Sequence, residues 1–207
     1  CSSDLVYIYD TLYSKKHEYI YYKTDHHWTT KGAYYAYLML SKYMGFVPHG
    51  EDYYSISKVT DNFYGSLYSK GGFRNVKPDS IELYTPLKKN EYEVFYHDDN
   101  KNTNSFYNMD NINIKDKYTV FFGGNQSLIS ISAGNNSGRK LAIAKDSYAN
   151  CLIPFLAEHY SEIYIIDLRF YNESLTDFLK DREIKELLII YNVNTFFEDS
   201  SIEKLSW

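Results

Sequence analysis

Apolar and polar residues recur with two different periods along this chain. From Thr30 to Met44 the apolar side chains return every three or four positions, which predicts an amphipathic helix. Thr29 or Thr30 is a suitable N-cap for that helix, and Gly45 is a suitable stop. Closer to the N-terminus, the run DLVYIY at residues 4–9 predicts a strand.

Residues 51–139 have a different pattern, in which short alternating segments lie between clusters of Asn, Gly and Asp. These segments are IELYTPL (81–87), EYEVFYH (91–97), KYTVFFG (117–123) and SLISISA (127–133). Alternation with a period of two predicts strands, and GNNSG at 134–138 predicts a turn. We therefore predict a mostly antiparallel, β-rich insertion over residues 51–139.

From residue 140 onward, apolar strands alternate with helices. The predicted strands are LAIA (141–144), EIYIIDL (162–168) and ELLIIYN (186–192), and the predicted helices are YANCLIPFLAEHY (148–160) and ESLTDFLKDR (173–182). This order predicts an α/β fold with a parallel sheet and right-handed crossovers. In such a sheet the ligand crevice lies at the carboxyl ends of the strands.

Composition narrows the class of protein. The 207 residues are 44% hydrophobic, which fits one globular domain or one domain with an insertion. The net charge is −5 and no run of Lys or Arg occurs, so we expect no nucleic-acid partner. No apolar stretch approaches the ~20 residues of a transmembrane helix. Cys1 could be a lipidated N-terminus, but we favour a fragment boundary because a strand-like run follows three residues later.

Ser147 stands where one of the predicted strands ends and a helix begins. Strand 141–144 leads directly into Lys145, Asp146 and Ser147. A serine at such a turn presents its hydroxyl to the crevice, where the helix dipole and free N–H groups stabilise an oxyanion. This position favours a nucleophile, and the alternative is that Ser147 only caps the helix.

The stretch TDHHWT (24–29) offers an acid and a base for such a serine. Residues two apart in an extended segment point the same way, so Asp25 and His27 could lie side by side. The carboxylate would hold one imidazole nitrogen and leave the other to accept the serine proton. His26 would point away, and Trp28 would pack behind the loop.

Two other interpretations of this stretch stay open. Asp25 could be a cap beside histidines that only pack, or Asp25, His26 and His27 could bind a metal ion. Adjacent histidines diverge on an extended segment, and the remaining histidines lack partners at zinc-like spacing. We therefore expect neither a metal nor a cofactor.

The same stretches resemble the DHHW protein family. TDHHWT is followed by KGAYYAY, and KDSY (145–148) lies downstream; FYGSLYSKGG (63–72) and LLIIYNVNTF (187–196) are similar to the family as well. That family is grouped with SGNH-type hydrolases and alginate O-acetyltransferase-type proteins, in which a D-x-H-W motif supplies the acid and base and a later serine the nucleophile. The resemblance, which covers nearly the whole chain, thus implies a catalytic triad of Asp25, His27 and Ser147.

The resemblance also implies a fold. We expect an SGNH-hydrolase-like, flavodoxin-like parallel sheet with helices on both faces, and a circularly permuted motif order because D-x-H precedes the serine here. Similar family members are longer, so residues 1–207 would be a single catalytic domain from the C-terminal part of a longer protein, with residues 51–139 inserted. Lys145 stands where the SGNH pattern has glycine.

Further oxyanion donors are expected in the SGNH pattern, after the two strands that follow the serine. No glycine stands at the first place, so Arg169 or a backbone N–H there would have to serve. Asn194 fits the second place best and Asn192 is its neighbour, although both could be mere turn residues. Tyr148 is a candidate for substrate contact. Gly124 and Asn125 in FFGGNQ could line the same crevice.

The function implied by the resemblance is acetyl transfer on a cell-surface or exported polysaccharide. An O-acetyltransferase or an acetylesterase would work through an acetyl-Ser147 intermediate. A membrane-bound O-acyltransferase would supply the acetyl group, and the site would be extracellular, at the cell surface. The alternative is a non-catalytic polysaccharide-binding module, since the 24 tyrosines could line a glycan-binding crevice.

Overall fold

The computed structural model describes residues 5–72, 74–88 and 90–206. The chain divides into two compact units. The first unit consists of residues 1–89 and 109–120, and the second consists of residues 90–108 and 121–207.

The described residues of the first unit include three α-helices and a two-stranded antiparallel ribbon. Its elements are α1 (Tyr9–Ser14), α2 (Thr30–Met44), β1 (Tyr54–Phe63), α3 (Ser66–Gly71) and β2 (Asp79–Pro86). The ribbon pairs Tyr54 with Pro86 and Phe63 with Asp79, with register shifts between them. The prediction of a strand at 81–87 is therefore confirmed.

The helix predicted from Thr30 to Met44 is confirmed as α2, with those bounds. The Thr29 side chain accepts a hydrogen bond from the Gly32 N–H at 3.2 Å, so Thr29 is the N-cap. Gly45 ends the helix in the left-handed region with φ of 67°. The buried face of the helix contains Thr30, Gly32, Ala33, Tyr34, Ala36, Tyr37, Leu40 and Ser41.

The strand predicted at residues 4–9 is wrong over its described part. Residues 5–8 have no regular structure, and α1 begins at Tyr9. A strand needs a neighbour with which to pair, and this run has none among the described residues. The side chains of Leu5 and Tyr7 are exposed instead, and the first buried apolar residue is Leu12 in α1.

The second unit is built on a six-stranded sheet. Its strands are β3 (Tyr92–Tyr96), β4 (Lys101–Thr103), β5 (Leu128–Ala133), β6 (Lys140–Lys145), β7 (Glu162–Ile166) and β8 (Glu186–Ile190). Their spatial order is β4-β3-β5-β7-β6-β8. The helices are α4 (Ile153–Leu156), α5 (Leu175–Asp181) and α6 (Val193–Glu198).

This sheet is mixed, so the prediction of a parallel sheet is correct only for part of it. β6 pairs in parallel with β7 on one side and with β8 on the other. β5 pairs antiparallel with both β7 and β3. The β-rich segment 51–139 thus contributes β1 and β2 to the first unit and β3 to β5 to this sheet, and its description as one insertion in a single domain stays a prediction.

Burial in the second unit is centred on β6, where Leu141 to Lys145 are all buried. Successive residues of a strand point to opposite faces, so both faces of the sheet are covered at this strand. On one face, Ala142 and Ala144 belong to a core cluster with Leu175 and Phe178 of α5. The burial of β6 fixes the position of the turn that follows it.

Two further predictions in this region need correction. The predicted strand KYTVFFG is a 3-10 turn at Lys117–Val120, followed by a single bridge between Phe121 and Tyr107. The predicted helix 148–160 is only a 3-10 turn at Ser147–Ala149 and the short α4. Pro154 has no N–H for the bond that would join the two segments, which explains the break.

Among the described residues, no helix combines the length and the apolar character needed to cross a bilayer.

Candidate active site

The loop that carries TDHHW is closed by backbone pairing at its base. Tyr21 and Trp28 form an antiparallel bridge, the Tyr22 N–H donates to the His27 carbonyl at 3.2 Å, and the Thr29 N–H donates to the Ile20 carbonyl at 2.9 Å. Trp28 is 2% exposed. The residues between these paired positions therefore form a tight, anchored loop that leads directly into α2.

Asp25 and His27 are brought together as expected. Oδ1 of Asp25 lies 2.5 Å from Nδ1 of His27 and accepts the His27 backbone N–H at 3.1 Å. The other carboxylate oxygen accepts the Ser66 N–H at 2.7 Å. Asp25 is 5% exposed and His27 is 4% exposed. The acid is thus held from three directions, and it orients the imidazole.

The electrostatics of Asp25 favour its ionised form. Burial alone raises the pKa of this carboxyl, but the hydrogen bond and charge of His27 and the N–H groups of Ser66 and His27 outweigh it and lower the pKa below its usual range. An ionised carboxylate can only accept hydrogen bonds, so Nδ1 of His27 is the donor. When His27 is neutral, Nε2 is then its basic nitrogen.

Gly65 allows Asp25 to approach α3 so closely. A Cβ atom at residue 65 would lie 2.2 to 2.6 Å from atoms of the Asp25 side chain, much closer than van der Waals contact. This glycine precedes Ser66, whose N–H binds the carboxylate. Its role could not be inferred from FYGSLYSKGG alone, because the close contact is with a residue 40 positions earlier.

Asp79 is a second buried acid that holds this loop, and no local sequence pattern indicates it. Its carboxylate accepts the backbone N–H groups of Lys23 and Thr24 at 3.1 and 2.7 Å. It also accepts the hydroxyls of Thr24 and Tyr19 at 2.6 and 2.5 Å. Asp79 is 2% exposed. The residue that precedes Asp25 is therefore fixed through both its backbone and its side chain.

Two residues of segment 109–120 contribute to the same site and were also missed. The ring of Tyr118 stacks on His27, with ring centroids 3.8 Å apart and planes within 10°. Asp116 lies near enough for its charge to interact with Asp25 and His27; burial and then the charge of Asp25 raise its pKa. Only the fold brings this segment to the TDHHW loop.

His26 is more exposed than His27 and has a different partner. Its Nδ1 lies 2.7 Å from the hydroxyl of Ser66. Ligand atoms of Asp25, His26 and His27 lie within 4.8 Å of one another, so their spacing alone would admit a metal ion. Both oxygens of Asp25 and the Nδ1 of His27 are, however, engaged in the hydrogen bonds described above.

In the second unit, Ser147 follows the carboxyl end of β6. Asp146, rather than Ser147, is the N-cap of the short turn, because its Oδ1 accepts the Tyr148 N–H at 2.8 Å. Its Oδ2 accepts the Asn192 N–H at 2.9 Å. Asp146 thereby joins the turn after β6 to the turn after β8, and Ser147 and Tyr148 are both half-buried there.

The strand order of the sheet reverses at β6. The chain continues from β6 to β7 on one side, whereas β8 lies on the other side. In open α/β sheets the ligand crevice forms outside the carboxyl ends of the strands at such a switch point. Ser147 lies in the loop that leaves the sheet at this point.

Three of the expected oxyanion candidates have defined partners. Arg169 forms a two-point ion pair with Asp167, at 2.8 and 2.6 Å. The side-chain oxygen of Asn192 caps α6 by accepting the Asn194 N–H at 2.9 Å. Asn194 itself is exposed in the first turn of α6. The side-chain oxygen of Asn192 is therefore engaged as a helix cap.

Lys145 is a buried charge near this edge of the sheet, and the sequence alone indicated no role for it. Lys145 is 1% exposed; its Nζ lies 3.8 Å from the buried Asp167 and donates to Oδ1 of Asn125 at 3.0 Å. Burial lowers the pKa of Lys145 to about 8, although Asp167 opposes that shift. A residue whose pKa is shifted by burial beside a specific charged partner is a candidate for a functional role.

Comparisons with known proteins agree with the resemblance seen in the sequence. A family model described as "DHHW protein" matches residues 2–166. The structure is similar to that of a DHHW family protein from Eubacterium siraeum DSM 15702, with a TM-score of 0.84 and 28% identity over 95% of this chain and 67% of that chain. No curated protein matches the chain.

Two other solved structures are more distant. PatB1 of Bacillus cereus, solved with a sulfonyl adduct, has a TM-score of 0.68 and 21% identity, and the match covers 87% of this chain and 63% of that chain. At this identity the similarity is one of fold. The O-acetyltransferase domain of AlgJ from Pseudomonas putida has a TM-score of only 0.41 and 11% identity over 94% of this chain and 64% of that one, and we draw nothing from it. The chain spans about two thirds of the length of these proteins.

Proposed function

The chain belongs to the DHHW protein family, and on this basis we propose that it transfers acetyl groups by serine-dependent catalysis, with an SGNH-like fold. Asp25, His27 and Ser147 would be the acid, base and nucleophile. The observation that carries the proposal is the contact of 2.5 Å between Asp25 and His27, because an ionised carboxylate on Nδ1 leaves Nε2 of a neutral imidazole to act as a base. The position of Ser147 after β6, at a topological switch point, supports the same assignment.

The proposed first step forms an ester on the enzyme. Nε2 of His27 removes the proton of Ser147 as its Oγ attacks the acetyl carbonyl, and the carbonyl oxygen becomes an oxyanion. Collapse of this intermediate breaks the bond to the donor oxygen, which takes the proton from His27. Acetyl-Ser147 remains. General base catalysis of this kind contributes about 10²–10⁴-fold in rate.

The second step returns the enzyme to its starting state. His27 removes a proton from a sugar hydroxyl or from water, which then attacks acetyl-Ser147 and releases the serine with its proton. A sugar acceptor makes the protein an O-acetyltransferase, and water makes it an acetylesterase. The proposed substrate is a cell-surface or exported polysaccharide outside the cell, with a membrane-bound O-acyltransferase as the supplier of acetyl groups.

The test measures acetate release from p-nitrophenyl acetate and from an acetylated glycan, together with the intact mass of the protein. Ser147→Ala and His27→Ala should abolish both turnover and the acetyl adduct. Ser132→Ala and His17→Ala, which replace exposed residues of the same types, should behave like the unaltered chain. Full turnover by Ser147→Ala would refute the proposal. Addition of unacetylated glycan then separates transferase from esterase.

A non-catalytic polysaccharide-binding module is the second candidate, favoured by the exposed aromatic residues of the first unit, among them Tyr9 and Tyr13, whose rings stack at 5.8 Å. Such a module would bind glycan equally well with and without Ser147 and would form no acetyl adduct. Glycan binding by calorimetry, run beside the assay above, distinguishes the two functions.

A further inference from the structure

A strained turn precedes β5 in the second unit, at Phe122, Gly123 and Gly124. These three consecutive residues have φ values of 58°, 71° and 114°. Phe122 is not a glycine, and a side chain in the left-handed region costs about 1–2 kcal/mol. The surroundings impose this conformation, because the Phe122 side chain is 1% exposed and its N–H donates to the Phe106 carbonyl at 2.8 Å. Strain that the fold maintains in this way is commonly found at functional sites.

This turn places Asn125 in contact with residues on both sides of Ser147 in the sequence. Oδ1 of Asn125 accepts a hydrogen bond from Nζ of Lys145 at 3.0 Å and a longer one from Nδ2 of Asn150 at 3.5 Å. Lys145 is two residues before Ser147, and Asn150 is three residues after it. The Asn125 amide therefore lies against the turn that carries the proposed nucleophile.

The chemistry of Lys145 determines which way this amide faces. An ammonium group has three donors and no acceptor, so Asn125 must present its oxygen to the lysine and direct its NH₂ group elsewhere. Lys145 cannot easily leave this position, because it is buried and pairs with Asp167, which Arg169 holds in turn. The NH₂ group of an exposed residue is thus oriented by a buried charge.

We propose that the Asn125 amide is the side-chain donor that binds the carbonyl oxygen of the acetyl group attacked by Ser147, and that Lys145 is the positioning residue that orients it. The inference rests on the proposed function and assigns the oxyanion donor to the turn before β5, where the sequence indicated only that Gly124 and Asn125 could line the crevice. Asn194 is the alternative donor, but it lies on an exposed helical turn, whereas oxyanion stabilisation requires donors that are fixed before the reaction begins.

The experiment compares pre-steady-state acetylation by p-nitrophenyl acetate in the unaltered chain, Asn125→Ala, Asn125→Asp and Gln126→Ala. Loss of an oxyanion donor should slow acetylation by about 10²–10³-fold while KM changes little. Asn125→Asp keeps the shape of the side chain and the acceptor for Lys145 but loses the NH₂ donor. Its acetylation should therefore be slowed at least as much as that of Asn125→Ala. Gln126→Ala removes the neighbouring amide and should keep the normal rate.

The outcomes separate this inference from the function on which it rests. Inert unaltered protein refutes both. An active protein with Asn125→Ala within about threefold of the normal rate refutes only the assignment of Asn125, and parallel variants of Asn194 show whether that residue serves instead.

The role of Lys145 is tested by a double-mutant cycle with Lys145→Met and Asn125→Ala. If Lys145 acts through Asn125, Lys145→Met should slow acetylation in the normal background and have little further effect when Asn125 is already alanine. Additive losses would refute the positioning role. If Lys145→Met does not fold, Lys145→Arg, which keeps a donor but changes its position, replaces it in the cycle.

Discussion

Oδ1 of Asp25 and Nδ1 of His27 lie 2.5 Å apart, and both side chains are almost completely buried. The two residues are separated by one position on a loop whose ends are paired with each other. Since both side chains are buried and the carboxylate has defined partners on both oxygens, the imidazole is held in one orientation and one tautomer.

Asp25→Asn should lower kcat for acetyl ester hydrolysis by about 10³–10⁴-fold, the scale known for replacement of the acid in serine triads. The asparagine NH₂ can face His27 Nδ1, which would place the imidazole proton on Nε2 and remove the base. Steady-state kinetics measure the effect. Asp61→Asn, at an exposed acid on β1, is the matched control and should keep full activity.

Gly65→Ala should displace Asp25 and impair both stability and activity. The new methyl group overlaps the Asp25 side chain, and overpacking of this kind costs about 1–3 kcal/mol. Urea unfolding measures the stability, and the ester assay measures the activity. At Gly134 an added Cβ meets its neighbours at ordinary contact distance, so Gly134→Ala should change neither quantity. Normal kcat in Gly65→Ala would show that Asp25 tolerates displacement.

Asp79→Asn should destabilise the protein by about 2–4 kcal/mol. All four groups around the Asp79 carboxylate are hydrogen-bond donors. The NH₂ group of asparagine would replace one carboxylate oxygen and would therefore face donors instead of acceptors. Denaturant titration monitored by fluorescence gives the free energy of unfolding. Asp181→Asn, at an exposed position near the end of α5, should change it by less than about 0.5 kcal/mol.

Lys145 should make stability rise with pH between about 8 and 10.5. Burial lowers the pKa of Lys145 to about 8 in the folded protein, while the unfolded chain keeps the ordinary value of 10.5. Between these values the unfolded state binds more protons, so the free energy of unfolding increases with pH. Unfolding titrations across this range should show a smaller increase in Lys145→Met than in the unaltered chain. Lys185→Met, at an exposed lysine, should retain the full increase.

Local rules were sufficient wherever neighbouring residues along the chain decide the structure. The helix α2 has the bounds predicted from its periodicity, cap and terminal glycine, because those determinants lie within the helix or next to it. The pairing of Asp25 with His27 was predicted for the same reason. The turn after β6 also followed from local pattern, although Pro154 shortened the helix beyond it.

Predictions failed where the outcome depends on distant partners. Residues 5–8 have the composition of a strand but no strand to pair with among the described residues, and KYTVFFG forms a turn. The antiparallel pairing of β5 with β7 could not be inferred either, since strand direction is a property of the pair rather than of one segment.

The sequence by itself determined the chemical groups of the site, the local loop that pairs Asp25 with His27, and the strand-to-turn position of Ser147. Only the tertiary structure decided what holds them: Asp79 and Tyr118 around the first loop, and Lys145 with Asn125 beside the second. The reason is physical. Spacing along the chain determines only contacts between residues a few positions apart. A buried charge, in contrast, is paired with residues that are distant in sequence, and it needs those hydrogen bonds because its desolvation is costly.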